Sequence, residues 1–409
     1  MEGETIRLLI LTLQISPYHD ARYDAATAEF EEVHVVSTLN VGDFSEFIAE
    51  SFGNYFLHKL FHGQNEYLTA VTSGSLATQV QNTIKAIDPD VVAVAGWAAP
   101  ESIAAMHHCR RHRIPTIIMS ESQEDDAKRS LLRESVKRRL VSQFNAALVG
   151  GPTHAQYINK LGIPCERIHY GYNAVDNEHF AMGAASALQD PHNVRLQHNL
   201  PKRYILASAR FIQKKNIPSL ISAYASARKL NPTAPDLVVL GDGPERKVIE
   251  ATIARERVGK YVHLQGFVSY DRLPAFYGLS EGFVHVSLIE QWGLVINEAL
   301  AAGVPVIASN TCGAARTVIQ DGQSGILTDI STDAITKSLV QFFRMPSQER
   351  SAMARAGANA INAWGPQRFG CGMKAAAESA FAAPMRGPIA PWDRILVKHF
   401  QRRVLNDVA

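Results

Sequence analysis

Two carboxylates eight residues apart, Glu290 and Glu298, flank a glycine and a helix start in the run S-L-I-E-Q-W-G-L-V-I-N-E-A-L-A-A-G-V-P-V-I-A-S, residues 287–309. An ionised carboxylate accepts hydrogen bonds at two oxygens, which suits vicinal hydroxyls. Gly293 removes a side chain where the helix begins. An anion can then approach the backbone N–H groups of Leu294 and Val295, which have no partner inside a helix. Two cations stand upstream in A-S-A-R-F-I-Q-K-K-N: Arg210 and Lys215. Fixed cations just past a strand end suit a diphosphate and stabilise charge building on a leaving phosphate. Taken alone such a loop is a solvated turn; its weight comes from the glutamates downstream. The neighbouring Lys214 is expected to face solvent.

These residues need elements to hold them. Gly282–Ser287 is short and apolar and reads as a buried strand. Leu294–Ala302 is rich in helix formers and stops at Gly303. Val304–Ala308 is another buried strand. The unit is strand, loop, helix, strand, with polar residues at a strand's carboxyl end, where open α/β sheets bind ligands. The same alternation runs through the chain. In the first half, strands are expected at Arg7–Leu13, Glu32–Ser37, Val91–Ala95, Thr116–Met119 and Ala146–Val149, with helices such as Ser102–His112 and Leu131–Val141 between them. A second series starts at Tyr204–Ala207 and continues with helix Pro218–Leu230, strand Asp236–Leu240, helix Glu245–Arg255 and strand Val262–Gln265, on to Ile326.

The spacing of Glu290 and Glu298 resembles the E-x7-E motif of retaining glycosyltransferases of family 4, which have the two-domain GT-B fold. The resemblance is strong over about residues 204–327 and weaker over the first half. It implies an α/β protein with two Rossmann-like domains whose parallel sheets face across a cleft. It implies that Glu290 contacts the donor sugar, Glu298 the nucleotide ribose, and Arg210 and Lys215 the donor diphosphate, beside Gly293, Leu294 and Val295. Gly241-Asp242-Gly243-Pro244 is similar to the family's G-x-G-P turn, where Gly241 serves the turn first and ligand contact second. Gly266-Phe267-Val268 falls where the family sets backbone against the nucleobase, which places Val268 in the donor site. Asn173-Ala174-Val175-Asp176 is a variant of the family's N-G-V-D segment and reads as a structural element beside the hinge.

Two departures stand out. Arg316 occupies the position where the family usually has a glutamate after Cys312-Gly313. The loop Ser16–Arg22 replaces a glycine-rich turn and offers His19 and Arg22 as contacts to donor phosphate or acceptor. Glu121, after strand Thr116–Met119, stands where many relatives have a sugar-contacting histidine.

The activity implied is transfer of a sugar from a UDP- or GDP-sugar to a glycan, lipid-linked or small-molecule acceptor, in cell-surface polysaccharide or glycoconjugate synthesis. The nucleotide sugar is a co-substrate, with no cofactor and no metal. Front-face transfer is implied, a donor phosphate oxygen taking the acceptor proton. A nucleotide-sugar 2-epimerase on the same fold is the alternative enzyme. A non-catalytic sugar-nucleotide-binding subunit is the alternative from another class, and the joint presence of all four charged residues speaks against it.

At 409 residues the chain has room for two domains. We expect an acceptor-side domain over 1–180, a linker over 181–200, a donor-binding domain over 201–370, and helices over 371–409 returning to the first domain. The composition, 46% apolar and 20% charged with net charge +2, is that of a globular protein. Four scattered cysteines form no C-x-x-C pair and suit a reducing cytoplasm. No apolar run reaches membrane-spanning length. Asp88-Pro89-Asp90 precedes a strand and reads as a turn. Six cations crowd residues 128–139: Lys128, Arg129, Arg133, Lys137, Arg138 and Arg139. They are expected to give peripheral contact with an anionic membrane face. A basic, apolar-striped tail around Trp392, Leu396, Phe400 and Val404 has the same character. Nucleic acid is not expected, because no aromatic residues interleave with the cations.

Overall fold

A computed structural model describes residues 6–39, 53–127 and 129–384. The tail expected to stripe through Trp392 to Val404 lies outside the described residues. The chain forms two compact units. One takes the residues up to Ala174 and those from Pro366 on; the other is Val175–Gly365.

The first unit is built on seven parallel strands: β1 (Arg7–Thr12), β2 (Glu32–Ser37), β3 (Phe56–Lys59), β4 (Val91–Ala95), β5 (Thr116–Ser120), β6 (Ala146–Val149) and β7 (Ile168–Tyr170), in the order 3-2-1-4-5-6-7. Alternate residues of β1 enter separate cores. Leu9 and Leu11 join one, Leu8 and Ile10 the other. Both faces of the sheet are therefore covered, and its central strands read as continuous apolar runs. The helix Pro366–Ala382 belongs to this unit. It lies along the helix Pro17–Ala26 and contributes Phe369, Met373, Ala376, Ala377 and Ala380 to the second of these cores. Asp90 accepts the Arg7 backbone N–H at 2.8 Å, so the Asp88–Asp90 turn anchors β1.

The second unit has six parallel strands: β8 (Tyr204–Ser208), β9 (Asp236–Leu240), β10 (Val262–Gly266), β11 (Phe283–His285), β12 (Val306–Ser309) and β13 (Ile326–Thr328), in the order 10-9-8-11-12-13. Because all six run the same way, the loops after β8, β9, β10 and β11 gather at one edge. These loops carry the candidate donor-site residues.

One expectation fails. Residues 181–200 are no linker but part of two helices, Asn177–Gln189 and Pro191–His198. The first packs on the helix Leu273–Gly278 through small residues. A Cβ on Gly183 would stand 2.5 Å from the Pro274 Cβ, and one on Gly278 2.7 Å from the Ala184 Cα. Packing by glycine and alanine leaves no apolar stripe in the sequence, so the segment resembled a spacer. The units accordingly divide at residue 174 and residue 365 rather than at 180 and 370.

Candidate active site

The loop after β11 folds over its own strand. Leu288 N–H bonds the Lys214 carbonyl at 2.7 Å, and Gly313 N–H bonds the Glu290 carbonyl at 3.2 Å. Ser309 and Thr311 hydroxyls both donate to the Ser287 carbonyl, at 2.8 and 2.6 Å. The backbone at Glu290 is thus tied on both sides.

Glu290 is 9% exposed, and its carboxylate meets Lys215, His285 and Ser287. Lys215 forms an ion pair with it, while His285 Nε2 and the Ser287 hydroxyl each lie 3.1 Å from Oε2. Burial opposes ionisation of Glu290. The His285 hydrogen bond and the Lys215 charge outweigh it and hold the carboxyl well below the usual range. Burial, with the Lys215 charge adding to it, lowers the His285 imidazole against the pull of Glu290, so the ring is neutral. Lys215 itself is set by the turn Gln213–Lys215. Asn216 ends that turn at φ +59° and donates to the Val286 and Ile330 carbonyls, both at 3.2 Å. Arg210 is exposed just past β8, and Lys214 is exposed as expected.

Glu298 is 1% exposed and accepts the Tyr277 hydroxyl at 2.7 Å. It sits on the helix Leu294–Ala301, which Gly293 opens at φ +95°. A Cβ there would stand 3.2 Å from Glu290 Cγ, in a backbone region L-residues avoid. Leu294 and Val295 are half-exposed on the first turn. Gly241, at φ +116°, passes so close to β8's loop that a Cβ would lie 2.0 Å from the Ala209 carbonyl oxygen. Its role is the close approach of two loops. Val268 is buried. Arg316 is exposed on the helix Gly313–Val318 and bonds the Asn310 carbonyl.

The first-unit candidates divide. Arg22 is corrected. It is 2% exposed, and its guanidinium donates to the Tyr172 and Ala174 carbonyls, both at 2.9 Å. It fastens the helix Pro17–Ala26 to the segment after β7, a structural role where a ligand contact was expected. His19 caps that helix, its Nδ1 accepting the Ser16 N–H at 3.2 Å. Burial, then the Arg22 charge, pulls its imidazole down to about 3. Glu121 stands half-buried past β5 and accepts from Asn173 Nδ2 at 2.7 Å. In the same segment Asp176 caps the helix Asn177–Gln189, accepting the His179 N–H at 3.0 Å.

Three residues of this site escaped the sequence reading: His285, Ser287 and Tyr277. The first two had a signal, being polar residues at the end of an apolar strand. Tyr277 had none, since it reaches Glu298 from another helix.

Comparison with known proteins fits this geometry. Residues 189–360 match the model of the glycosyl transferases group 1 family. An α-monoglucosyldiacylglycerol synthase of Acholeplasma laidlawii is 28% identical over 138 residues, 34% of each chain. A GDP-mannose-dependent α-(1-6)-phosphatidylinositol monomannoside mannosyltransferase of Mycobacterium tuberculosis is 28% identical over 239 residues, 56% of this chain and 60% of the relative. The chain thus spans between a third and three-fifths of the length of these relatives. The Anabaena protein HepE, solved with UDP and glucose, superimposes with a TM-score of 0.68 over 98% of this chain and 99% of its own, at 16% identity. That likeness shows the fold, GT-B. The stretch that resembles the glycosyl transferases group 1 model, residues 189–360, holds both Glu290 and Glu298, in line with the resemblance drawn from the E-x7-E spacing.

Proposed function

We propose that the chain is a retaining, metal-independent glycosyltransferase. It would move a sugar from a nucleoside-diphosphate sugar to a glycan or lipid-linked acceptor in cell-surface glycoconjugate synthesis. The observation that carries this reading is the buried contact between Lys215 and Glu290, 75 residues apart in sequence. It joins a cation suited to a diphosphate with a carboxylate suited to a sugar, at the edge where α/β sheets bind ligands. UDP bound to HepE supports a nucleotide donor, and the lipids in the names of the two relatives support a lipid-linked acceptor. Peripheral contact with a membrane face accompanies this reading. In this mechanism Glu290 orients the sugar, Glu298 holds the ribose, and Lys215 with Arg210 stabilises charge on the departing diphosphate. Positioning and leaving-group stabilisation then supply most of the rate.

The test is a transfer assay with UDP-, GDP- and ADP-sugars against glycan and lipid acceptors, in parallel with donor-only incubations. Sugar transfer supports the reading. Interconversion of the donor without acceptor would make the protein an epimerase, and donor binding without turnover a binding subunit. Transfer should persist in EDTA, because cations of the chain face the diphosphate. Activity lost on chelation and restored by magnesium or manganese would refute this.

Glu298→Gln should weaken binding of the free nucleotide, measured by titration calorimetry. A charge-assisted bond to a ribose is worth about 1.5–3 kcal/mol, so the dissociation constant should rise roughly tenfold or more. Glutamine still accepts the Tyr277 hydroxyl, which keeps the buried site intact. An unchanged constant would remove Glu298 from the ribose.

A further inference from the structure

Of the six cations expected at a membrane face, Lys128 lies outside the described residues, Arg129 is held by Asp126 at 2.5 Å and Lys137 by Glu134 at 2.8 Å. A different cluster of titratable side chains has no part in the proposed reaction. It lies on the first unit, toward the amino ends of β1, β2 and β3, whereas ligands of open α/β sheets meet the carboxyl ends.

His34 on β2 and His58 on β3 are diagonal neighbours. The two strands pair in parallel, with His34 opposite Phe56 and Val36 opposite His58, so both imidazoles stand on one face of the sheet. His34 Nδ1 lies 3.0 Å from His58 Nε2. The other ring nitrogen of His34, Nε2, lies 3.2 Å from Glu32 Oε2, and Arg7 Nε donates to the same oxygen at 2.5 Å. These bonds, the one with His34 first, hold the Glu32 carboxyl below its ordinary range. An ionised carboxylate only accepts. His34 Nε2 therefore carries the proton, and Nδ1 presents its lone pair toward His58. Burial, then the charge of His34, lowers the His58 imidazole and favours its neutral, ligating form. The Phe56 ring stacks on His34, centroids 4.9 Å apart. Both imidazoles line a cavity of about 630 Å³, with Glu32 and with Asn82 and Thr83 of the helix Ser75–Ile87.

We propose that His34 and His58 bind a divalent transition-metal ion of the zinc class, with water in the cavity completing its coordination. Two imidazole nitrogens about 2.0–2.1 Å from a tetrahedral ion stand roughly 3.3 Å apart, so a small ring rotation turns the present contact into a chelate. Glu32 is then the carboxylate behind a ligating histidine, which sets the tautomer of the ring and raises its basicity. Imidazole ligands suit zinc, copper and nickel, while magnesium takes oxygen ligands. Among the described residues no three histidine, cysteine, aspartate or glutamate side chains form a complete ligand set, so the chain supplies two ligands and the ion stays exchangeable. The ion ties β3, a four-residue strand at the edge of the sheet, to β2. The proposal needs neither donor nor turnover, so its failure would leave the glycosyltransferase reading untouched.

The test is zinc titration of the full chain, read by calorimetry and by melting temperature, with magnesium as the control ion. Zinc should bind and raise the melting temperature, and magnesium at the same concentration should do neither. Binding should weaken as pH falls below about 6.5, where protons compete for the imidazoles. His34→Gln and His58→Gln should each remove the zinc-dependent shift. Glu32→Gln should weaken zinc binding about tenfold to a hundredfold without abolishing it. Each variant is read against its own zinc-free sample, so a change in its intrinsic stability does not enter the comparison. The helix Pro100–His112 carries a second close pair, His108 and His112, with ring centroids 4.4 Å apart. His108→Gln with His112→Gln should leave the shift as it is. A shift that survives both His34→Gln and His58→Gln, or that is lost in the helix variant, would place the ion elsewhere and overturn the proposal. So would a wild-type protein whose heat of titration and melting temperature both ignore zinc.

Discussion

Lys215→Met should reduce turnover about a hundredfold to a thousandfold and also weaken binding of the bare nucleoside diphosphate. The rate estimate is the usual effect of removing one preorganised group that stabilises a leaving or developing charge. Lys215 pairs with the buried Glu290, and on the proposed reading a neutral side chain there leaves Arg210 alone to face the diphosphate. The same change strands Glu290. Breaking a buried ion pair by removing one partner costs roughly 3 kcal/mol or more, so the melting temperature should fall by several degrees. The loss should depend on pH. Glu290 titrates below the ordinary carboxyl range when folded, so its contribution to stability is present above the unfolded carboxyl pKa, about 4.3, and disappears as pH falls. Wild type and variant should therefore differ most near neutrality and converge in acid. Melting curves from neutral pH down to well below the unfolded carboxyl pKa check the second part, and kcat with nucleotide titration the first. A gap in melting temperature that stays constant with pH would mean that Lys215 does not hold Glu290 ionised.

Glu290→Gln should act in the opposite sense on binding. Turnover should drop by a comparable factor, because on the proposed reading the contact to the sugar in the transition state is lost. Affinity for bare UDP or GDP should stay level or rise, since Lys215 no longer shares its charge with a carboxylate. His285 and Ser287 can both bond an amide, which keeps the loop in place. Steady-state kinetics beside nucleotide titration read both numbers. Nucleotide affinity that collapses while turnover on bound donor stays normal would exchange the roles assigned to Glu290 and Glu298.

The inner strands were legible because each carries a run or an alternation of buried apolar residues. Glu32–Ser37, Val91–Ala95, Ala146–Val149 and Asp236–Leu240 fall where the sequence puts them. The strands that went unseen, β3 and β7, sit at the two edges of the first sheet. Phe56 and Lys59 are exposed there, and of Ile168, His169 and Tyr170 only the first is buried. An edge strand with one wet side lacks the run that marks a central one. The candidate donor-side residues stood out because a local motif, Ser287 to Ser309, carries several of them on one short strand–helix–strand unit. Arg22 was misread because its partners, the carbonyls of Tyr172 and Ala174, lie 150 and 152 residues away. Tyr277 was invisible for the same reason. Sequence patterns report what an element presents, and they are silent on which distant element arrives to meet it.

The helix Pro366–Ala382 has a consequence for how the chain comes into being. Val175–Gly365 is in effect an insertion between the two parts of the first unit. On the ribosome every residue of that insertion emerges before the helix does, so it can fold while its host is still open. Until then the groove that receives Phe369 and Met373, lined by residues such as Tyr23 and Leu148, has no cover. The closing fit is close: a Cβ on Gly370 would stand 2.7 Å from the Ala25 carbonyl oxygen, and one on Gly372 2.1 Å from that of Tyr170. Completion of the first unit therefore waits until the whole insertion has been made, and an apolar groove stays open to aggregation for as long as translation of the insertion takes.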